Sequence, residues 1–237
     1  MTSIGKVTTI MRHPVKSLRG EEVAETRIMN YGLYGDRSHA LMDGDRFYTA
    51  TQNKELLGFH AAFDGEEQDK KYPPVKIYGP EEQTFYWHEA ACLSTFEELA
   101  GKPLTQQSYT PEHVPFGAIE EEHLLIVNAA SIEHLEKTLG REIDWRRFRP
   151  NLIVSLNDDV PFSEEKLIGQ KISLGEAGIE IVRPCERCSI INIDPETLHT
   201  DPAVLKTVYQ QYENCFGMYA KVLKAGRVRV GDDLKKN

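Results

Sequence analysis

A mainly β fold with helical insertions (α+β), a barrel or a sandwich, is what this sequence predicts, and three observations lead there. Short runs rich in β-branched and aromatic residues recur along most of the chain. Gly, Asp and Pro separate those runs at close intervals, as tight turns require. Only three stretches place their apolar residues at helical spacing.

In chain order, "GKVTTIMRHPV", "EEVAETRIMNYGLYGDRSHALMD" and "DRFYTATQ" read as strands, with "LYGDR" and "MDGDR" as turns between them. "PPVKIYGPEEQTFYWHE" continues the pattern around a turn at Gly79-Pro80. "STFEELAGK" reads as a short helix capped by Ser94 or Thr95 and stopped by Gly101. The polar, Pro-containing "SYTPEHVPFGAIEEEH" reads as a linker or surface loop, so we expect two units, 1–104 and 105–237. "LLIVNAASIEHLEKTLGREI" reads as a strand entering a helix, with Asn128 as cap and Ile132, Leu135 and Leu139 on one face. "FRPNLIVSL" is a buried strand and "KLIGQKISLGEAGIEIVRP" two strands about a Gly-rich turn. "SIINIDPET" reads as a strand ending at Asp-Pro, "DPAVLKTVYQQY" as a helix, and "MYAKVLKAGRVRVGDDL" as a closing hairpin. There is no tandem repeat.

Composition excludes some functions. The 237 residues are 40% hydrophobic and 27% charged, as in an ordinary globular protein able to bury a core. A net charge of −9 argues against nucleic-acid binding, which needs a broad basic surface, but leaves room for a local cationic pocket. The opening residues contain no long apolar run, so neither a signal peptide nor a membrane helix is expected there, and no membrane partner. Four cysteines in the chain do not form a secreted disulfide framework, which points to a reducing cytoplasm.

The sharpest local feature is "RPCERCSI", with Cys185 and Cys188 three apart and Arg183 and Arg187 beside them. Structural zinc would need a second close pair of ligands, and Cys92 and Cys215 are isolated in the sequence. A thioredoxin-like pair would need a helix after the first cysteine, whereas "SIINI" reads as a strand. Burial as two small apolar side chains, and a single thiolate on a soft or redox-active metal, both fit the spacing. The flanking arginines favour the thiolate. Spacing alone goes no further.

The whole segment "RPCERCSIINIDPET" resembles the cysteine segment of the MOSC domain, named for the C-terminal domain of molybdenum cofactor sulfurases. "MRHPVKSLRGEEV" and "YGLYGDRSHALMD" resemble the β-barrel domain that precedes it. "LLIVNAASIEHL", "RRFRPNLIV", "FSEEKLIGQKISLG" and "FGMYAKVLKAGRVRVGD" resemble successive MOSC segments in the family order. The resemblance spans nearly the whole chain and is similar in kind to the mitochondrial amidoxime reducing components and their bacterial counterparts. It implies a β-barrel-like MOSC core plus a smaller N-terminal β-rich domain, and a molybdenum cofactor (molybdopterin).

By family position Cys188 is the metal ligand, and Lys16, Ser17, Arg37, Asn128, Ser131, Arg149 and Asn151 contact the pterin or its phosphate. Cys185 is then structural or adjacent to the ligand. Asp194 is first a turn former and second a candidate proton relay. Lys16 and Arg37 also fit as ordinary solvated charges, and Arg149 as a partner for Asp144. The implied reaction is reduction of a small N-hydroxylated compound. The chain has no cluster-binding cysteine set and no Gly-rich nucleotide fingerprint, so electrons would come from a separate flavin or iron–sulfur protein. Two other readings stand beside it: a sulfur carrier holding a persulfide on Cys188, and a non-catalytic carrier of the cofactor.

Overall fold

A computed structural model describes residues 2–236. Seven strands close a barrel. Thr2–Arg12 pairs with Leu152–Leu156, and the order continues through Leu124–Asn128, Cys215–Lys224, Ala177–Glu186, Lys171–Leu174 and Asp233–Lys236 back to Thr2–Arg12. All neighbours are antiparallel except Leu124–Asn128 with Leu152–Leu156. The barrel interior is filled by alternate residues of these strands, among them Val7, Ile10, Leu124, Ile126, Leu152, Val154, Ile179 and Ile181.

The outer face of one side is covered by two helices, α2 (Ala129–Leu139) and α3 (Ala203–Gln211). Val127 and Ile153 pack there against Ile132, Leu135, Val204 and Val208. A strand buried on both faces needs apolar residues at every position, which is why "LLIVN" carries no polar alternation before Asn128.

Three small sheets flank the barrel. His39–Asp43 pairs with Arg46–Phe47 and Thr105–Ser108, and His60–Phe63 with Val75–Tyr78, which pairs with Thr84–Tyr86. Glu25–Met29 lies between Gly32–Leu33 and Gly226–Arg229. A second core under the first two contains Leu41, Phe59, Ile77, Trp87 and Phe96, the last from α1 (Ala90–Ala100). The mainly β class with three α-helices is therefore the observed one. No helix is long and apolar enough to cross a membrane among the described residues. The expected boundary near residue 105 falls on the strand that pairs with His39–Asp43, and the first strand of the chain lies in the barrel with the C-terminal strands.

Several local expectations are corrected. "SIINI" is not a strand: Ser189–Asn192 is one 3-10 turn beginning immediately after Cys188. Its Ile191 is buried against α3, so the β-branched residues serve packing there and not a ladder. The closing segment is not a hairpin. Cys215–Lys224 stays in the barrel, Gly226–Arg229 crosses to Glu25–Met29, and Asp233–Lys236 returns to the barrel. Helix α1 begins at Ala90, placing Thr95 inside it with its hydroxyl on Ala91 O at 2.9 Å; Gly101 ends it in the left-handed conformation as expected. "DRFYTATQ" pairs only at Arg46–Phe47.

Candidate functional site

The first barrel strand ends in a turn that is stitched to a second turn by main-chain bonds. Arg37 N–H donates to His13 O (2.6 Å), Lys16 N–H to His39 O (2.8 Å), and His39 N–H to Pro14 O (3.0 Å). The second turn requires glycine at its entry. Gly35 has φ +71, and a Cβ there would lie 2.4 Å from the Phe63 ring. His13 N–H donates to Asp36 Oδ1 at 2.8 Å, and the Asp36 carboxylate pairs with Arg37. Both turns open on a cavity of about 250 Å³ between the barrel end and the flanking sheets. Lys16, Ser17, Arg37, Arg149, Asn151, Cys185 and Cys188 all line it, with Asp36, Glu120, Phe148, Arg187 and Tyr219.

The cavity wall is cationic. Lys16, Arg37, Arg149 and Arg187 are each at most 9% exposed. Lys16 Nζ donates to Ala118 O (3.1 Å) and Glu120 Oε1 (3.0 Å), and burial, with Arg37 nearby, pulls its pKa down. Neither Arg149 nor Arg187 has an ion pair among the described residues. Burial first, then the neighbouring Arg37, holds the Arg149 pKa down to about 9. The expected Arg149–Asp144 pair is not formed; Arg146 takes Asp144 instead.

Among the described residues, four donors on this wall have no hydrogen-bond partner: Arg37 Nε, Arg149 Nη2, Asn151 Nδ2 and Arg187 Nε. Arg37 Nε has only Glu120 Oε1 at 3.7 Å. Asn151 is oriented by its Oδ1, which accepts from Leu125 N–H at 2.9 Å. An unpartnered buried donor costs about 1–3 kcal/mol, so several together, on adjacent cations, describe a site shaped for an acceptor-rich anion. The backbone agrees. Ser17 (φ 71), Arg37 (φ 51) and Arg149 (φ 53) are non-glycine residues in the left-handed region, a strain that concentrates at binding sites.

Cys188 is exposed, whereas Cys185 is buried, both on the same cavity. All four cysteines are free. Among the described residues no three His, Cys, Asp or Glu side chains gather as a metal-ligand set. A metal beside Cys188 would therefore take one protein thiolate and draw its other ligands from a bound molecule.

Three sequence candidates lie elsewhere. Ser131 Oγ donates to the buried Glu164 carboxylate (2.9 and 3.0 Å) and accepts from Phe162 N–H (2.8 Å). Asn128 makes no side-chain cap; its Nδ2 donates to Val160 O at 3.3 Å. The start of α2 is thus closed by the chain's own Phe162–Glu164 segment. Asp194 holds a turn, accepting from Glu196 N–H, Thr197 N–H and Thr197 Oγ1, and from Arg147 Nη2 at 3.1 Å. It faces a separate depression with Arg141, Trp145 and His199. Sequence reasoning missed Glu120 and Tyr219. Glu120 sat in a segment read as linker, and Tyr219 in a strand whose facing direction needs the register.

The same site fixes an acid response. Burial first, then Arg149 and Arg37, keeps His13 neutral with its pKa lowered to about 3; burial first, then His88, does the same for His39. The folded pKa values lie below the unfolded value of about 6.5, so the unfolded chain binds the extra protons. Their stabilising contribution is complete above pH 6.5 and is lost as pH falls toward 3, at up to about 1.4 kcal/mol per pH unit for each histidine. Denaturant titrations from pH 6.5 to 4.5 are expected to show unfolding free energy falling with acid. A His39→Gln variant should show a slope smaller by about one proton; an unchanged slope would contradict the assignment.

Comparison with known proteins adds the following. The family model described as MOSC domain matches residues 99–235, and that of the MOSC N-terminal β-barrel domain matches residues 4–85. Mitochondrial amidoxime reducing component 2 of Rattus norvegicus is 32% identical, covering 98% of this chain and 83% of its own. A molybdenum cofactor sulfurase of Drosophila ananassae is 27% identical over 53% of this chain and 14% of its own. Among solved structures, the YuaD protein of Bacillus subtilis aligns with 97% of this chain and 93% of its own at TM-score 0.48 and 13% identity.

Proposed function

The chain belongs to the MOSC domain family, and from that premise we propose that it is a molybdenum-cofactor-dependent reductase of small N-hydroxylated compounds. The observation that supports this best is the cavity itself: an exposed thiol at Cys188 beside four unpartnered buried donors on a cationic wall. Those residues fit a pterin phosphate and a soft metal. In this reading Cys188 contributes the protein thiolate. Arg37, Arg149 and Arg187 donate to phosphate and pterin acceptors, Asn151 adds its Nδ2, and Ser17 lines the same wall. Lys16 is neutralised by Glu120 and sets the local field rather than binding alone. Asn128, Ser131 and Asp194 lie off the cavity and have no part in it.

When bound, the cofactor supplies the two-electron centre at which an N–OH group loses its oxygen. The overall reaction takes two electrons and two protons, breaks the N–O bond, and yields N–H and water. The protein excludes bulk water from the inner wall, orients the anion through its fixed donors, and leaves Cys188 at the open mouth where substrate enters. Electrons come from a separate flavin or iron–sulfur protein, and four free thiols suit a reducing cytoplasm.

The test is benzamidoxime reduction to benzamidine with a chemical electron donor, using protein made in a host that synthesises the cofactor. Turnover supports the reading and its absence in metal-loaded protein contradicts it. The similarity to a sulfurase favours one other outcome, a persulfide on Cys188. Mass spectrometry would show it as one added sulfur in protein that holds no metal.

A further inference from the structure

We infer that Cys185 is a positioning residue whose sulfur fixes the side chain of Arg187, one of the anion donors already assigned to the cavity wall. Arg187 is 9% exposed and has no carboxylate partner among the described residues. A sulfur and a main-chain carbonyl hold its guanidinium instead. Nη1 donates to Cys185 Sγ at 2.8 Å, and Nη2 to Phe148 O at 2.6 Å. Its own N–H donates to Asn214 O at 2.8 Å, and its charge lies 5.6 Å from the Phe148 ring centre. These contacts set the plane of the fork and leave Nε as its unpartnered donor. They also tie the strand bearing Cys185 to the segment that ends at Arg149.

The sulfur does more than fill space. Cys185 is 1% exposed and approaches Glu186 O at 3.6 Å, where its own S–H donates. Tyr219, on the neighbouring strand and also in the cavity wall, packs against it. An alanine there would leave Arg187 Nη1 without an acceptor in the interior and the fork free to turn. A serine keeps an acceptor, so it separates loss of the bond from loss of the cysteine. The inference rests on the proposed function only for the identity of the anion.

The test needs no molybdenum. In ¹⁵N-labelled cofactor-free protein, the Arg187 Nε–H resonance is assigned by its loss in Arg187→Lys and followed during titration with inorganic phosphate. In the wild type it is expected to be resolved, slow to exchange with water, and shifted by phosphate. Cys185→Ala is expected to speed its exchange and weaken phosphate binding about tenfold, the size of one charge-assisted hydrogen bond. Cys185→Ser is expected to stay within about threefold of wild type for both. If Cys185→Ala does not fold, Cys185→Val makes the same comparison with the volume filled. A Cys185→Ala or Cys185→Val protein with wild-type exchange and affinity overturns the positioning role, as does a serine variant no better than alanine. Wild-type protein whose Arg187 resonance ignores phosphate, or an Arg187→Ala protein that binds it unchanged, overturns the anion-binding role. Neither result bears on turnover, so failure here is distinguishable from failure of the proposed function.

Discussion

Cys188→Ser is expected to lower benzamidoxime reduction by more than about 100-fold while leaving the fold unchanged. Serine is a hard, weakly acidic donor where a soft metal takes a thiolate, and losses of this order follow even when only the groups supporting a metal ligand are removed. The side chain is exposed at the cavity mouth, so the substitution removes little packing. Unfolding free energy should stay within about 0.5 kcal/mol of wild type. Molybdenum retention and steady-state turnover, measured on the same preparation, check the pair of effects. A variant with full turnover would remove Cys188 from the metal site.

Arg149→Gly separates binding from stability even more sharply. The residue is buried without an ion pair among the described residues, its pKa is held down to about 9 by burial and Arg37, and its backbone is left-handed at φ 53. Glycine adopts that conformation without strain and removes the uncompensated charge. The cofactor-free variant is therefore expected to unfold at a temperature equal to or above that of wild type. Pterin and molybdenum content after purification from a competent host is expected to fall at least about tenfold, since a charge-assisted contact to the anion is gone. A variant that loads normally would remove Arg149 from the anion site. One that loads poorly and also unfolds several degrees lower would show that its role is structural. The combination of lost binding with retained or gained stability is the signature of a residue held under strain for a ligand.

Much of the barrel could be read from the chain because its signals are local. "LLIVNAASIEHL" switches from a continuous apolar run to helical spacing at Asn128, where the strand ends and α2 begins. "KISLGEAGIEI" places its turn at Gly175, where the two strands meet. Closure was not legible, because it depends on pairing between residues far apart, such as Gly5 with Leu156 and Ser173 with Lys235. The same distance effect misled the reading of the C-terminus: Arg227 pairs with Arg27 across the fold, not with its neighbouring strand. "SIINI" failed for a different reason. β-Branched residues mark half-buried surfaces in general, and here the surface is a turn packed on α3.

The site divides along similar lines. Lys16, Ser17, Arg37, Arg149, Asn151 and Cys188 come from four places in the sequence and meet at one cavity. Their types and motif order were readable, but their convergence is a property of the closed barrel. Asn128 and Ser131 were drawn in by the idea of an open helix start. In this chain Glu164 already supplies the anion there, a contact between residues 33 apart. Asp194 in "DPET" had two readings, and its bonds are those of the turn. Glu120 could not be found in advance, because nothing in "AIEEEH" shows which of three glutamates reaches Lys16.

The central claim is that this cavity holds a molybdenum cofactor, and metal and pterin stoichiometry tests it most directly. Protein purified from a host that makes the cofactor is expected to contain close to one molybdenum and one pterin per chain. Metal-free, pterin-free protein from that host, with cofactor delivered to a control molybdoenzyme in the same cells, would contradict it.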